Sequence, residues 1–477
     1  MARELHLAGI DVAIWSPYER RKPLTDAHLR HALWLGVPML EQAPDPADSR
    51  LWIDGLFGIA QHRPPGDGLE ALLTSRQRQR PHCLLSIDVP TGLCADTGRV
   101  LGGGAACCAT TYCIGLLKQG LIQDSALAWV GRLERIDLGL PPALLATLPA
   151  DQPLALGWAD TARGGSGEEP WPRLDPANAK YGRGRALLVA GSSRYRGAAH
   201  LAISGATASG CGSLRASLPV ELTADLWTIH PHVVLEDPLP RGTAGELDLG
   251  QLDAGTLERL DAVLVGPGIG MVPPEADRDQ AMTWALLLQF PGLLVLDADG
   301  LNRLARRHTT PGDRPGSPGV EAWFRQRSGP TWITPHRGEF DRLFPALSPL
   351  APLEAAAAAA AACGIDIVLK GARTVIAAAD GRRWQIRQAC PEVARAGLGD
   401  VLAGYVTGRG AMGMAASANG GTSLDAALLA ASCLDHALAG RAALDNGGDG
   451  GTTPQAVAGF LGRINATATA RPDERCS

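Results

Sequence analysis

Five short apolar runs, each broken off by glycine, aspartate or a polar cluster, recur through the second half of the chain. They are RALLVAGSS (185–193), DAVLVGPGIG (261–270), GLLVLDADGLN (292–302), TWITPHRGEF (331–340) and IDIVLKGART (365–374). No other feature restricts the fold as much. A continuous apolar run of this length reads as a strand buried on both faces, the mark of a parallel sheet covered by helices. Polar residues at the C-terminal end of each run line up the ligand-bearing groups along one edge of that sheet. The stretches between suit helices. GAAHLAISGATASG (197–210) follows the first run, and EAAAAAAAAC (354–363), a tract of high helix propensity, precedes the last. The expected fold class is therefore α/β with an open sheet.

At 477 residues the chain is longer than one ordinary domain. A separate set of strand-like runs fills the first half: IDVAIW (10–15), RLWIDGLFG (50–58) and HCLLSIDVPTG (82–92), closed by ALAWVGRLERIDLGLP (126–141). Between the halves, ADTARGGSGEEPWPRLDP loses all periodicity and has linker composition. The expected organisation is a first domain over 1–150, a linker over 151–177 and a second domain over 178–470. TTPGDRPGSPG (309–319) reads as a surface loop.

Composition excludes several classes. A net charge of −5 gives no reason to expect nucleic acid or an anionic membrane as partner. No uninterrupted apolar run of about 20 residues is present to span a bilayer, and the charged start MARELHLAGIDVAIW is not a signal peptide. The 10 cysteines include no CxxC pair and stand in apolar surroundings, as expected of a reduced, cytoplasmic protein without a zinc site. Lysine occurs only at Lys22, Lys118, Lys180 and Lys370 among 44 basic residues. In so arginine-rich a chain, a retained lysine marks a place for a compact ammonium.

Each motif taken singly is ambiguous. GSSRYRGAA and GPGIG are phosphate-binding turns or plain packing glycines, and either aspartate of DADGLN serves as a cap as readily as a ligand. His336 in TPHRGEF is by itself a loop histidine. Asp400 in ARAGLGDVLAGYV (394–406) stands among small residues at a helix start, where alone it reads as an N-cap and where neighbouring amides favour its charged form. NGGDGG (446–451) follows a helical stretch rather than a strand and reads as a helix stop.

In order, however, KYGRGRALLVAGSSRYRGAAHLAISGATASGCG, LVGPGIG, LDADGLN, TPHRGEF, VLKGART and GLGDVLAG resemble the ribokinase-like NAD(P)H-hydrate dehydratases over roughly 180–465. These form the C-terminal domain of bifunctional nicotinamide-nucleotide repair proteins. The resemblance implies a ribokinase-like open sheet with flanking helices, and removal of water from hydrated NADH or NADPH driven by ADP, or by ATP in some members. It implies Asp400 as the base that takes the hydroxyl proton during phosphorylation. Lys370, Gly371, Ala372, Arg373, Thr374 and Gly399 would meet the nucleotide. Ala198, Gly268 or Gly270, His336 and Asp400 would line the hydrate site. Magnesium is expected with the nucleotide. Against the family's ATGGTGDVLAG, this chain carries Arg395, Ala396 and Leu398, which removes hydroxyls near the anion site.

IDGLFGIAQHRPPGDG, LLSIDVPTGLCADTGRV, TYCIGLLKQGL and VGRLERIDLGLP resemble the epimerase domain of the same proteins, a Rossmann-like α/β domain. That likeness implies potassium held by Asp54 and Thr91, and Asp88 facing the substrate. A loop Gly58, Ile59, Ala60, Gln61, His62, Arg63 and Pro64 would lie over its phosphates, and Lys118 matches a family lysine. The family's GxGNNGGDG loop would precede Met1, so a truncated domain with impaired epimerisation is expected, or else a start assigned too late. A small-molecule kinase, which would leave a stable phosphorylated product, and a non-catalytic nucleotide-binding or assembly module are the competing readings. A homo-oligomer is expected by analogy.

Overall fold

Residues of one strand alternate between two cores. Val263, Val265, Leu294 and Leu296 join one apolar layer, while Ala262, Leu264, Leu293 and Val295 join the layer on the other face. This is why the runs in the sequence are continuous rather than alternating: both sets of side chains are removed from water. The computed structural model describes residues 1–149, 151–160, 179–273, 281–309, 319–388, 390–418 and 424–468. It divides into two units, Met1–Thr147 and Leu148–Ser477.

The first unit holds a parallel four-stranded sheet in chain order: β1 (Trp52–Asp54), β2 (Leu84–Ile87), β3 (Thr110–Ile114) and β4 (Arg132–Ile136). The run IDVAIW does not become a strand. Only Ile14 bridges, to Met39, and a single pair does not sustain a ladder.

The second unit holds ten strands: β5 (Leu154–Leu156), β6 (Arg185–Val189), β7 (Ser213–Ser217), β8 (Val234–Leu235), β9 (Ala262–Val265), β10 (Leu293–Leu296), β11 (Thr331–Ile333), β12 (Asp366–Leu369), β13 (Val375–Ala377) and β14 (Arg383–Ile386). Their order is β5-β14-β13-β12-β11-β10-β9-β6-β7-β8, with only β13 antiparallel to its neighbours. The start of the segment read as linker is thus an edge strand, β5, paired with β14. Most of the remaining linker and of the loop expected at 309–319 lies outside the described residues.

The alanine tract forms the helix Pro352–Cys363, stopped by Gly364 in the left-handed conformation (φ 69°). The Asp400 segment opens a helix, Leu398–Ala418, that packs along the helix Arg196–Ala208. Small residues permit the approach. A Cβ on Gly404 would lie 1.8 Å from the Ala202 carbonyl oxygen, and one on Gly205 would lie 2.0 Å from that of Val401. The NGGDGG stretch sits at the end of the long helix Ala426–Gly451, kinked at Gly448. That helix is apolar and long enough to cross a bilayer, yet 61% of its 18-residue window is buried within the protein.

Candidate active site

Chain order reverses between β6 and β9, so the loops after these neighbours leave the sheet in opposite directions and open a crevice. The Gly191 amide donates to the Pro267 carbonyl at 2.8 Å across it. A Cβ on Gly268 would lie 2.7 Å from that of Ala198, so these two sequence-expected residues are in contact. Gly266, at φ 146°, admits no side chain, because a Cβ there would lie 1.8 Å from the Asp297 carbonyl oxygen. Gly270 is fixed by its amide, which donates to Asp299 Oδ2 at 2.9 Å. Between the two aspartates, Ala298 takes φ 47°, a strained value for a residue with a Cβ.

Along the same edge, β10, β11 and β12 are followed by Asp297, His336 and Lys370. Lys370 Nζ donates to Asp297 Oδ1 at 2.6 Å, and Asp297 is only 1% exposed. A methyl on Gly399 would lie 3.1 Å from the same Nζ, so the ammonium sits against the start of the Asp400 helix. His336 caps the helix Arg337–Leu343. Its Nδ1 accepts from the Gly338 and Glu339 amides at 2.9 and 3.3 Å, and Glu339 Oε2 accepts from the His336 amide at 2.8 Å. Nδ1 as acceptor leaves the proton on Nε2, which lies 3.3 Å from Glu339 Oε1. Burial lowers the His336 pKa, and Lys370 and Arg342 lower it further, so the ring is a neutral donor.

Asp400 departs from the expectation that helix-start amides keep it ionised. Burial, reinforced by Asp297, Asp299 and Glu339, pushes its pKa up to about 7, although Lys370 pulls the other way. Burial also raises Glu339. For Lys370, burial opposes the charge, but Asp297, Glu339 and Asp400 outweigh it and hold the pKa above the ordinary lysine value. Several acids around one ammonium, with one carboxyl poised near neutrality, suit the transfer of a proton.

Gly371, Ala372, Arg373 and Thr374 form the turn from β12 to β13, where Thr374 Oγ1 donates to the Gly371 carbonyl at 3.3 Å. Gly371 and Ala372 are exposed beside Lys370, while Arg373 is buried. From the sequence Asp297 was a cap or a ligand and Glu339 had no assigned role. The signal lay in DADGLN and TPHRGEF, but their convergence on Lys370 depends on strand order.

In the first unit, Asp54 is 6% exposed and accepts from the Thr91 amide and hydroxyl, each at 2.7 Å. Burial raises its pKa against those donors. The two residues expected to share a cation, Asp54 and Thr91, thus meet at one buried point. Asp88 takes φ 74° and pairs with Lys118, whose Nζ also donates to the Ile114 carbonyl at 2.7 Å. A Cβ on Gly58 would lie 3.1 Å from Asp88 Oδ2, which brings the expected loop to Asp88. Ile59, Ala60, His62, Arg63 and Pro64 are exposed. Gln61 is buried, accepting from the Gly92 amide at 2.7 Å and donating to the Pro90 carbonyl at 3.2 Å. It anchors the loop to the Thr91 turn.

The open sheet, its crevice and the carboxyl at the helix start define an α/β enzyme of the ribokinase-like class, preceded by a smaller α/β unit. The family model described as NAD(P)H-hydrate dehydratase matches residues 186–461, and that of the YjeF-related protein N-terminus matches 1–120. The bifunctional NAD(P)H-hydrate repair enzyme of Synechocystis sp. is 36% identical over 410 residues, covering 86% of this chain and 73% of the relative. That of Gloeobacter violaceus is 39% identical over 411 residues, covering 85% and 75%. A solved structure of a hypothetical protein from Streptococcus mutans shares the fold at 21% identity and TM-score 0.50, over 63% of this chain and 96% of its own. The chain belongs to the family of bifunctional NAD(P)H-hydrate repair enzymes.

Proposed function

We propose that the second domain, 178–470, dehydrates the S form of hydrated NADH or NADPH at the expense of ADP, releasing AMP and phosphate. The observation that carries this reading is the Lys370–Asp297 pair set against Gly399 and Asp400. Asp400 takes the proton of the ring hydroxyl as its oxygen attacks the terminal phosphorus of ADP, and the bond from that phosphorus to AMP breaks. Loss of phosphate from the ring carbon and of a proton from its neighbour then restores the double bond. Atoms balance, since the water removed from the hydrate appears in AMP and phosphate. Lys370, with Gly371 to Thr374 and Gly399, holds the nucleotide phosphates. Ala198, Gly268, Gly270 and His336 hold the nicotinamide end.

Among the described residues no cluster of three or more His, Cys, Asp or Glu is arranged to hold a metal. Magnesium carried with the nucleotide would neutralise charge on its phosphates, held by Lys370, Gly371 to Thr374 and Gly399. In the first domain, 1–150, the hydrate would lie against Asp88 under the loop Gly58–Pro64 and Asp54 and Thr91 would hold potassium, with epimerisation impaired or lost in this chain. The protein acts in the cytoplasm on a small molecule, as a homo-oligomer.

The test is the purified chain with the S hydrate of NADH, ADP and magnesium. The expected result is recovery of reduced-nicotinamide absorbance with equal yields of AMP and phosphate. A stable phosphorylated product without that recovery would establish the kinase reading. No reaction with ADP or ATP would overturn both.

A further inference from the structure

Met271, next to Gly270 in the chain, lines a groove of about 440 Å³ together with Asn302, Ala305, Arg306 and Arg342. Arg342 Nε donates to Asn302 Oδ1 at 2.9 Å, and Arg306 Nη1 donates to the Val272 carbonyl at 2.7 Å. The nearby carboxylates among the described residues have partners of their own, and Asp299 Oδ1 also accepts from Asn302 Nδ2 of the groove at 3.4 Å. Asp299 accepts from the Gly270 amide at 2.9 Å, Glu339 from the His336 amide at 2.8 Å, and Asp341 pairs with Arg337 at 2.9 Å. No carboxylate pairs with Arg342 among the described residues. Its side chain is exposed, and Met271, 38% exposed, supplies an apolar wall beside it. Arg342 follows His336 along one helix by about 9 Å of rise. Through Asn302, which donates to Asp299, and Asp299, which accepts from the Gly270 amide, this cationic groove borders the crevice where the reacting ring would sit.

We propose that this groove is the phosphate subsite for the substrate of that crevice, a reading that rests on the function proposed above. A guanidinium presents a planar fork that fits two phosphate oxygens, which an ammonium does not. With the nicotinamide end at Gly268, His336 and Asp400, Arg342 and Arg306 pair with a phosphate of the dinucleotide. Two phosphates of the substrate share this chemistry: the diphosphate bridge, present in both hydrates, and the 2′-phosphate, present only in hydrated NADPH.

The experiment compares wild type, Arg342→Gln and Arg342→Lys, with circular dichroism melting to confirm folding. KM and kcat are measured separately for the S hydrates of NADH and NADPH, and binding of NADH and NADPH is followed by titration calorimetry. Arg342→Gln is expected to raise KM about tenfold, with a smaller change in kcat, and to weaken binding in parallel. Arg342→Lys should recover only part of the loss. A loss confined to the NADPH forms assigns the 2′-phosphate, and an equal loss for both assigns the diphosphate. KM and binding within about twofold of wild type for both cofactors would overturn the proposal. A wild type that binds NADH or NADPH without turnover would instead defeat the proposed reaction, and the calorimetry would still decide this site.

Discussion

The Asp400 carboxyl, held at a pKa of about 7 by burial and by Asp297, Asp299 and Glu339, ionises across the range in which such an enzyme works. A base must be deprotonated to act, so kcat/KM should rise with pH up to about 7 and level off above it, as a pH–rate profile will show. Asp400→Asn should lower turnover by about 10²–10⁴-fold. The same shift has a consequence for stability. A carboxyl whose folded pKa lies above its unfolded value of 3.8 favours the fold while protonated, and that advantage is lost as pH rises to about 7. Asp400→Asn should therefore melt higher than wild type above pH 7, with the difference fading toward the acid end of that window. A variant that lost activity but melted identically at every pH would contradict the burial argument. The place of Asp400 at a helix start was legible in GLGDVLAG. Its protonation was not, because Asp297, Asp299 and Glu339 come from other strands and loops.

The helices Arg196–Ala208 and Leu398–Ala418 carry both Ala198 and Asp400, and their approach sets where those residues meet. Gly404→Ala would drive a Cβ into the Ala202 carbonyl, so it should destabilise by about 1–3 kcal/mol and reduce turnover by displacing the Asp400 end of the helix. Gly462, in the helix Pro454–Ala468, has nothing within 4 Å of a built Cβ. Gly462→Ala should instead stabilise by about 0.5–1 kcal/mol through helix propensity. Denaturant midpoints of the two variants separate packing from propensity.

A second element-scale feature is the histidine stack. His200, on the first of these helices, stacks on His230 with ring centroids 5.7 Å apart, and His232 meets His230 edge-on at 6.1 Å. Burial, then His200 and His232, push the His230 pKa down to about 4. The fold requires the neutral ring, so stability present above the ordinary value of 6.5 should fall as pH drops toward 4. His230→Gln should flatten the urea midpoint over that interval.

At the scale of the whole molecule, the two proposed sites predict separable demands on cations. Replacing potassium by choline should slow such R-hydrate consumption as the first domain retains, through the potassium proposed at Asp54 and Thr91, while S-hydrate dehydration with magnesium and ADP proceeds nearly unchanged. Following a racemic mixture by absorbance and chiral chromatography reads both rates at once, and equal slowing of the two would refute the assignment. The sequence by itself determined β6, β9, β10, β11 and β12 of the second sheet, the helix of the alanine tract and the placing of the motifs near strand ends, because burial on two faces and turn chemistry are local patterns. It did not reveal that Leu154–Leu156 pairs with β14, that IDVAIW stays outside the first sheet, or that Gln61 anchors its loop. Those outcomes, like the gathering of Asp297, Glu339, Lys370 and Asp400, were decided by the tertiary structure. Pairing partners, burial and mutual charge exist only once segments far apart in the chain are packed together.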